Sequence, residues 1–270
     1  MSSVNAQLNY LAPTAEKPRT YAYDPPAGVA RTTAVNEPHE VAIRDARPVA
    51  SRLSLDAEGF ALLRHRSRVS GFDDEHEIRS VYYSESEELL KDVTGADRVF
   101  IFDHTIRRRI WGAEDRRDGP RQPVARVHVD HTATSGPQRV RDLLPNEAEE
   151  LLRGRVQIIN LWRPIRGPVQ DAPLAVCDAL SVKPADLVPA DLIYRERVGE
   201  TYAVTFDPAH QWFYVPQMQP DEALVLKCYD SQTDGRARFA PHSAFTDPSV
   251  PSSVPPRESI ELRTLIFHGA

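Results

Sequence analysis

Arg126-Val127-His128-Val129-Asp130-His131-Thr132 is the stretch on which the reading of this chain turns. Side chains alternate along an extended strand, so His128 and Asp130 project to one side and Val127 and Val129 to the other. An imidazole and a carboxylate on one side can share a metal ion. Alone the pair is weak: His-x-Asp arises by chance, and a core histidine bonded to a nearby carboxylate is common. Its weight depends on the rest of the chain.

Working outward, Val124 to Asp130 alternates and reads as the strand that delivers the pair. Further strands are expected at Val41–Asp45, Phe60–Leu63, Arg98–Asp103, Val156–Trp162, Trp212–Val215, Ala223–Tyr229 and Glu258–Phe267. Leu192–Val198 and Thr201–Phe206 read as a hairpin turning at Gly199-Glu200. Helices are expected from Ser84 to Val93, with a Ser84/Glu87 capping box and a Gly95 stop, and around residues 135–153. Twenty-three prolines favour many short elements over a helical bundle. Short strands with turn signals between them, without regular strand–helix alternation, predict a mainly β sandwich or jelly roll with flanking helices. Residues 1–40 hold five prolines and little periodicity, and are expected to be an extended N-terminal arm, ordered only if it packs on the body. Residues 41–270 are expected to be a single domain.

The chain has 270 residues, 41% hydrophobic and 27% charged, which is ordinary globular composition. A net charge of -6 offers no basic surplus for nucleic acid. Cys177 and Cys228 form no disulfide framework and have no metal spacing, which fits a reducing compartment. No apolar run is long enough to span a bilayer, and the first residues lack a signal-peptide pattern. The expectation is a soluble, cytoplasmic protein. Oligomeric state stays open.

A metal needs a third ligand. His242, in Phe239-Ala240-Pro241-His242, stands where a strand should begin or a loop should end. Its rivals are His104 at a strand end, His131 on the opposite face from Asp130, and His210 in a turn. Two histidines and one carboxylate leave coordination positions open, as in non-heme Fe(II) oxygenases. The last strand adds a second signal. Ile260, Leu262, Thr264 and Ile266 share one face, and Arg257, Ser259, Glu261 and Arg263 the other. Arginine followed two residues later by a hydroxyl can grip a carboxylate by a guanidinium fork and one further bond. That would suit the distal carboxylate of 2-oxoglutarate, whose keto-acid end chelates iron. The Arg-dense segment 107–123 reads as a solvated loop or as an anion-facing lid.

Several short motifs now bring a resemblance within reach: Arg126-Val-His-Val-Asp130, Asn160-Leu-Trp-Arg-Pro164, Pro173-Leu-Ala-Val-Cys-Asp178, Tyr229-Asp-Ser231, Pro241-His242 and Pro256-Arg-Glu-Ser-Ile-Glu-Leu-Arg263. From about Val41 to Phe267 the chain resembles the hydroxylase/desaturase family that includes gibberellin desaturase, the AsaB-like hydroxylases and the cephem-methoxylation component CmcJ. The resemblance implies a double-stranded β-helix, the cupin-like form of jelly roll, with Fe(II) as cofactor and 2-oxoglutarate as co-substrate. It implies His128, Asp130 and His242 as metal ligands and catalytic centre. Arg257 and Ser259 would bind the co-substrate, with Arg263 as an alternative partner; Asn160 shares a strand face with Trp162 and would line the pocket, while Trp162 either joins it there or packs in the core. The expected activity is hydroxylation, desaturation or oxidative cyclisation of a small secondary-metabolite-type molecule with O2.

Other chemistries fit poorly. A hydrolase of the His-x-His-x-Asp-His type needs histidine where Arg126 stands. No His-Glu-x-x-His, Gly-x-Ser-x-Gly or glycine-rich phosphate loop occurs. The acids Glu147, Glu149 and Glu150 read as a solvated helix face. The remaining alternatives are a non-catalytic jelly-roll binding or scaffold protein, and a cupin-like protein using another metal.

Overall fold

The alternating segments assemble into two facing β-sheets. The structure is a computed structural model that describes residues 2–113, 115, 120–251 and 253–269. In chain order its strands are β1 (Ser3–Leu11), β2 (Arg19–Tyr21), β3 (Asn36–Asp45), β4 (Phe60–Arg64), β5 (Arg98–Arg108), β6 (His128–Val129), β7 (Val156–Pro164), β8 (Leu174–Cys177), β9 (Leu187–Ile193), β10 (Val198–Val204), β11 (Trp212–Tyr214), β12 (Glu222–Asp230), β13 (His242–Ala244) and β14 (Glu258–Phe267). The larger sheet has nine strands in the order β1-β3-β11-β8-β13-β6-β10-β9-β2, and the smaller has five in the order β4-β12-β7-β14-β5. The helices are α1 (Glu75–Glu77), α2 (Tyr83–Thr94), α3 (Ser135–Leu143) and α4 (Ala148–Leu151). Among the described residues no helix is long and apolar enough to cross a membrane.

Strand parity decides which side chains meet between the sheets. On β7, Val156, Ile158 and Trp162 join a core with Val176, Phe213, Leu226 and Leu265. The intervening Ile159 and Leu161 pack outward with Ile260, Leu262 and Ile266 of β14 against Ile78, Tyr82 and Leu90 of the helical layer. β7 is therefore buried along its whole length, one face on the core and the other under α2. The same parity turns Asn160 on β7, and Ser259, Glu261 and Arg263 on β14, toward the interior. A polar row on a central strand, puzzling as sequence, has a cavity to face.

Several boundaries differ from expectation. Ser3–Leu11 pairs in full register with Asn36–Arg44, and Tyr10 is fully buried, so the start of the arm is an edge strand of the larger sheet. Its alternation (Val4, Ala6, Leu8, Tyr10) precedes the prolines that dominate the segment's composition. The helical layer begins earlier than Ser84: Asp74 caps it, accepting from the amides of His76 and Glu77, and Ser84 lies inside α2. Gly95 does end the helix, in the left-handed region at φ 67°. The hairpin turns at Tyr194–Arg197, where the Tyr194 N–H donates to the Arg197 carbonyl at 2.9 Å, and Gly199 and Glu200 lie within β10. Of the stretch Val124–Asp130, only His128 and Val129 pair as a strand.

Candidate metal centre

Two very short strands bring the histidines together. β6 and β13 are neighbours, with His242 directly opposite His128 and ring centroids 4.4 Å apart. Asp130 follows β6 on the same side as His128. One ligand atom from each of His128, Asp130 and His242 lies within 4.8 Å of the others, which suits a single ion with ligands roughly 2 Å away.

Each imidazole is oriented through its far nitrogen. His128 Nδ1 lies 2.8 Å from the Arg126 carbonyl, and His242 Nδ1 lies 3.1 Å from the Ala240 carbonyl. A carbonyl can only accept, so each Nδ1 carries the hydrogen and each Nε2 keeps its lone pair. His128 Nε2 then faces Asp130 Oδ1 at 3.5 Å. Burial, reinforced by His242, pushes His128 down to about 4, so its ring is neutral at pH 7. The Asp130 carboxyl is held well below the usual carboxylate range against the effect of burial, with the Arg263 guanidinium among the groups that hold it there. A neutral ring nitrogen and a carboxylate oxygen, both acceptors, are thus turned toward each other. A cation between them resolves that repulsion.

Asn160 holds the free side of Asp130. Its amide nitrogen donates to Asp130 Oδ2 at 2.7 Å and to Glu261 Oε1 at 2.9 Å. The single NH2 ties two carboxylates in place and leaves Asn160 Oδ1 buried without a partner.

Arg257, Glu261, Arg263 and Arg107 line the same cavity as the triad, with Trp162 and Leu174 as apolar walls. Arg257 is buried and lies 5.5 Å over the Trp162 ring. Among the described residues its guanidinium donates one bond, from Nη1 to the Ala172 carbonyl at 2.6 Å, while its Nε has no partner. Burial, added to by Arg107, pushes it down to about 9. The Ser259 hydroxyl is likewise buried and unpartnered. Arg263 differs: it bonds Asp103 Oδ1 at 2.6 Å and Thr105 Oγ1 at 2.9 Å. Of the two arginines left open by sequence, Arg257 keeps unspent donor capacity.

The rival histidines have other partners. His104 Nδ1 lies 2.9 Å from the Tyr83 hydroxyl and its Nε2 3.2 Å from Glu75. His210 lies between the Tyr10 hydroxyl and Asp186. His131, which burial pushes down to about 4, lies 3.4 Å from the Ser135 hydroxyl and borders a separate cleft. Glu261 and Arg107 were not assigned to the site by sequence. Glu261 was visible on the polar face of the last strand, but Arg107 reaches the cavity only because β5 pairs with β14, setting Arg107 opposite Ser259. Of the expected Arg-dense loop, Arg109 bonds Asp171 and Arg121 bonds Asp115, while Arg116, Arg117 and Asp118 lie outside the described residues.

Comparison with known proteins identifies the family. The family model described as "Oxidoreductase/YMDC permease-like domain" matches residues 8–267. The hydroxylase/desaturase efuI of Hormonema carpetanum is 34% identical, over 98% of this chain and 95% of its own length. The Fe(II)/2-oxoglutarate-dependent dioxygenase nvfI of Aspergillus novofumigatus is 35% identical, over 86% of this chain and 84% of its own. The solved structure of the iron and alpha-ketoglutarate-dependent endoperoxidase NvfI superposes with a TM-score of 0.89 at 30% identity, covering 100% of this chain and 99% of that one. The fold is therefore the jelly roll of that enzyme.

Proposed function

The chain belongs to this oxidoreductase family and is an Fe(II)- and 2-oxoglutarate-dependent oxygenase, and from that premise we propose that His128, Asp130 and His242 hold its iron. The supporting observation is the convergence of two oriented Nε2 lone pairs and one carboxylate, all within 4.8 Å. It hydroxylates, desaturates or oxidatively cyclises a small molecule of secondary metabolism. When bound, iron and 2-oxoglutarate supply the oxidising chemistry, in which O2 is reduced, the keto acid loses CO2 to become succinate, and a substrate C–H bond is oxidised.

The protein's own work is orientation and exclusion. The Arg126 and Ala240 carbonyls aim the two imidazoles. Asn160 bonds Asp130 Oδ2 and so directs Oδ1 at the ion. Trp162 and Leu174 keep water from the cavity. Arg257 and Ser259 are assigned the distal carboxylate of 2-oxoglutarate. The support is their two unpartnered buried groups, since a native interior seldom leaves such donors idle. Arg263 and Asn160 complete the polar wall of the co-substrate pocket. The space enclosed is about 40 Å³, room for an ion and a water-sized ligand. A five-carbon diacid therefore requires this wall to give, with Arg257 exchanging the Ala172 carbonyl for the carboxylate.

In this reading residues 41–270 are one oxygenase domain, and residues 1–40 an arm that adds β1 and β2 to its larger sheet. Its partners are a small-molecule substrate and O2, with no nucleic acid or membrane, and its compartment is the cytoplasm. A non-catalytic scaffold would have no use for the oriented donor set. The test is Fe(II)-dependent succinate formation from 2-oxoglutarate by the purified protein under air. Wild type forms succinate and His128→Ala does not. No succinate from iron-loaded wild type with any small-molecule substrate offered would overturn the reading.

A further inference from the structure

On its other side, Asp130 borders a cleft of about 300 Å³ between α3 and the β9–β10 hairpin, with Arg263 at its base. That volume sits at the lower end of the range for small-molecule sites. Two more arginines line it, Arg139 from α3 and Arg197 from the hairpin turn. Among the described residues neither has a carboxylate within ion-pair distance. Arg139 Nε is buried with no hydrogen-bond partner, and its guanidinium lies 4.8 Å over the Phe102 ring. Arg197 lies 4.1 Å over the Tyr194 ring.

The acids of the cleft do not answer these charges. Asp191 and Glu200 both pair with Lys17, which reaches in from the N-terminal segment. Glu200 also accepts from the Thr132 hydroxyl at 2.5 Å. Asp142 is exposed and accepts from Gln138. Asp130 is committed to the metal centre. Arg139 is lowered by burial, then by Arg197, so the two cations repel in a partly dry setting. Arginines stacked on rings, with fork donors unspent, are built for carboxylate recognition.

We propose that this cleft is the substrate's entrance and that Arg139, assisted by Arg197, selects a small organic acid by its carboxylate, while the acid's hydrocarbon part points past Asp130 toward the metal. The proposal rests on the oxygenase reading for its orientation, but the anion site stands on its own residues. Phe102, under Arg139, offers a flat apolar surface beside the carboxylate.

The test is calorimetric titration of the protein loaded with Zn(II) and saturating 2-oxoglutarate, so that the co-substrate's own carboxylate site is filled. The probes are 2-naphthoate, indole-3-acetate and cyclohexanecarboxylate, each beside its methyl ester. At least one acid should bind about tenfold or more tighter than its ester, the scale of one lost charge-assisted bond. Arg139→Gln should bring that ratio to about one, Arg139→Lys should keep part of it, and Arg197→Gln should reduce it. No acid outbinding its ester in wild type, or a ratio unchanged in Arg139→Gln, overturns the proposal. Fe(II)-dependent succinate formation by wild type with the small-molecule substrates offered is measured in parallel: its absence would count against the oxygenase reading and not against the anion site.

Discussion

At the residue scale, two assignments have consequences that solution measurements can read. His128 is neutral in the folded protein down to about pH 4, against an ordinary value of 6.5. Between those values the unfolded chain binds a proton that the folded one does not, so stability falls on acidification from 6.5 toward 4. The loss from His128 alone is roughly 3 kcal/mol, from 1.36 kcal/mol per pH unit. Urea unfolding of the metal-free protein across this range should display that slope, and His128→Gln should flatten it. An equal slope in both proteins would mean that His128 is not held neutral. Asn160 is the second case. Asn160→Leu removes the NH2 that ties Asp130 to Glu261. Fe(II) affinity should fall by about 10–100-fold, as for other residues that orient metal ligands, and unchanged affinity would refute the orienting role.

At the element scale, β14 joins the fold to the site. Its outer face, Ile260, Leu262 and Ile266, packs under the helical layer, while Glu261 and Arg263 of its inner face and the preceding Arg257 line the cavity. Arg257 is a desolvated cation with unused donors, so its presence should cost the empty protein stability that the co-substrate restores. Arg257→Met should leave the unfolding midpoint of the metal-free protein unchanged or raise it. It should raise KM for 2-oxoglutarate by about 10–100-fold, the worth of a charged hydrogen bond. A large loss of stability without a KM effect would make Arg257 a structural residue. This strand was the most legible of all: its bounds and its two faces follow from Glu258–Phe267 as sequence. β8 and β13 were not legible, because Leu174-Ala-Val-Cys177 is buried on both faces and so shows no alternation, and three residues at His242–Ala244 are too few for a period. The candidate ligand His242 was singled out from its place after Phe239-Ala240-Pro241, at a strand start or loop end, and through resemblance.

At the scale of the whole molecule, the sandwich depends on its first residues. β1 covers β3, and Tyr10 accepts a 2.7 Å bond from Trp212 Nε1 in the interior. Composition hid this, since five prolines follow β1 and none lies in it. Removing residues 1–12 should expose the β3 edge and the side chains that Leu8 and Tyr10 cover, giving an aggregating product; a soluble truncation of wild-type stability would contradict the pairing. The proposed site, too, is a property of the whole: its candidate ligands come from β6, the residue just after it and β13 of one sheet, and its candidate clamp from the β14 segment of the other. Its ligand set is tested most directly by anaerobic Fe(II) titration of wild type, His242→Ala and His104→Ala. Wild type and His104→Ala should bind one Fe(II) with equal affinity, and His242→Ala should bind at least about 100-fold more weakly, beyond the loss from an orienting residue. Equal binding by His242→Ala and wild type, or a loss confined to His104→Ala, would contradict it.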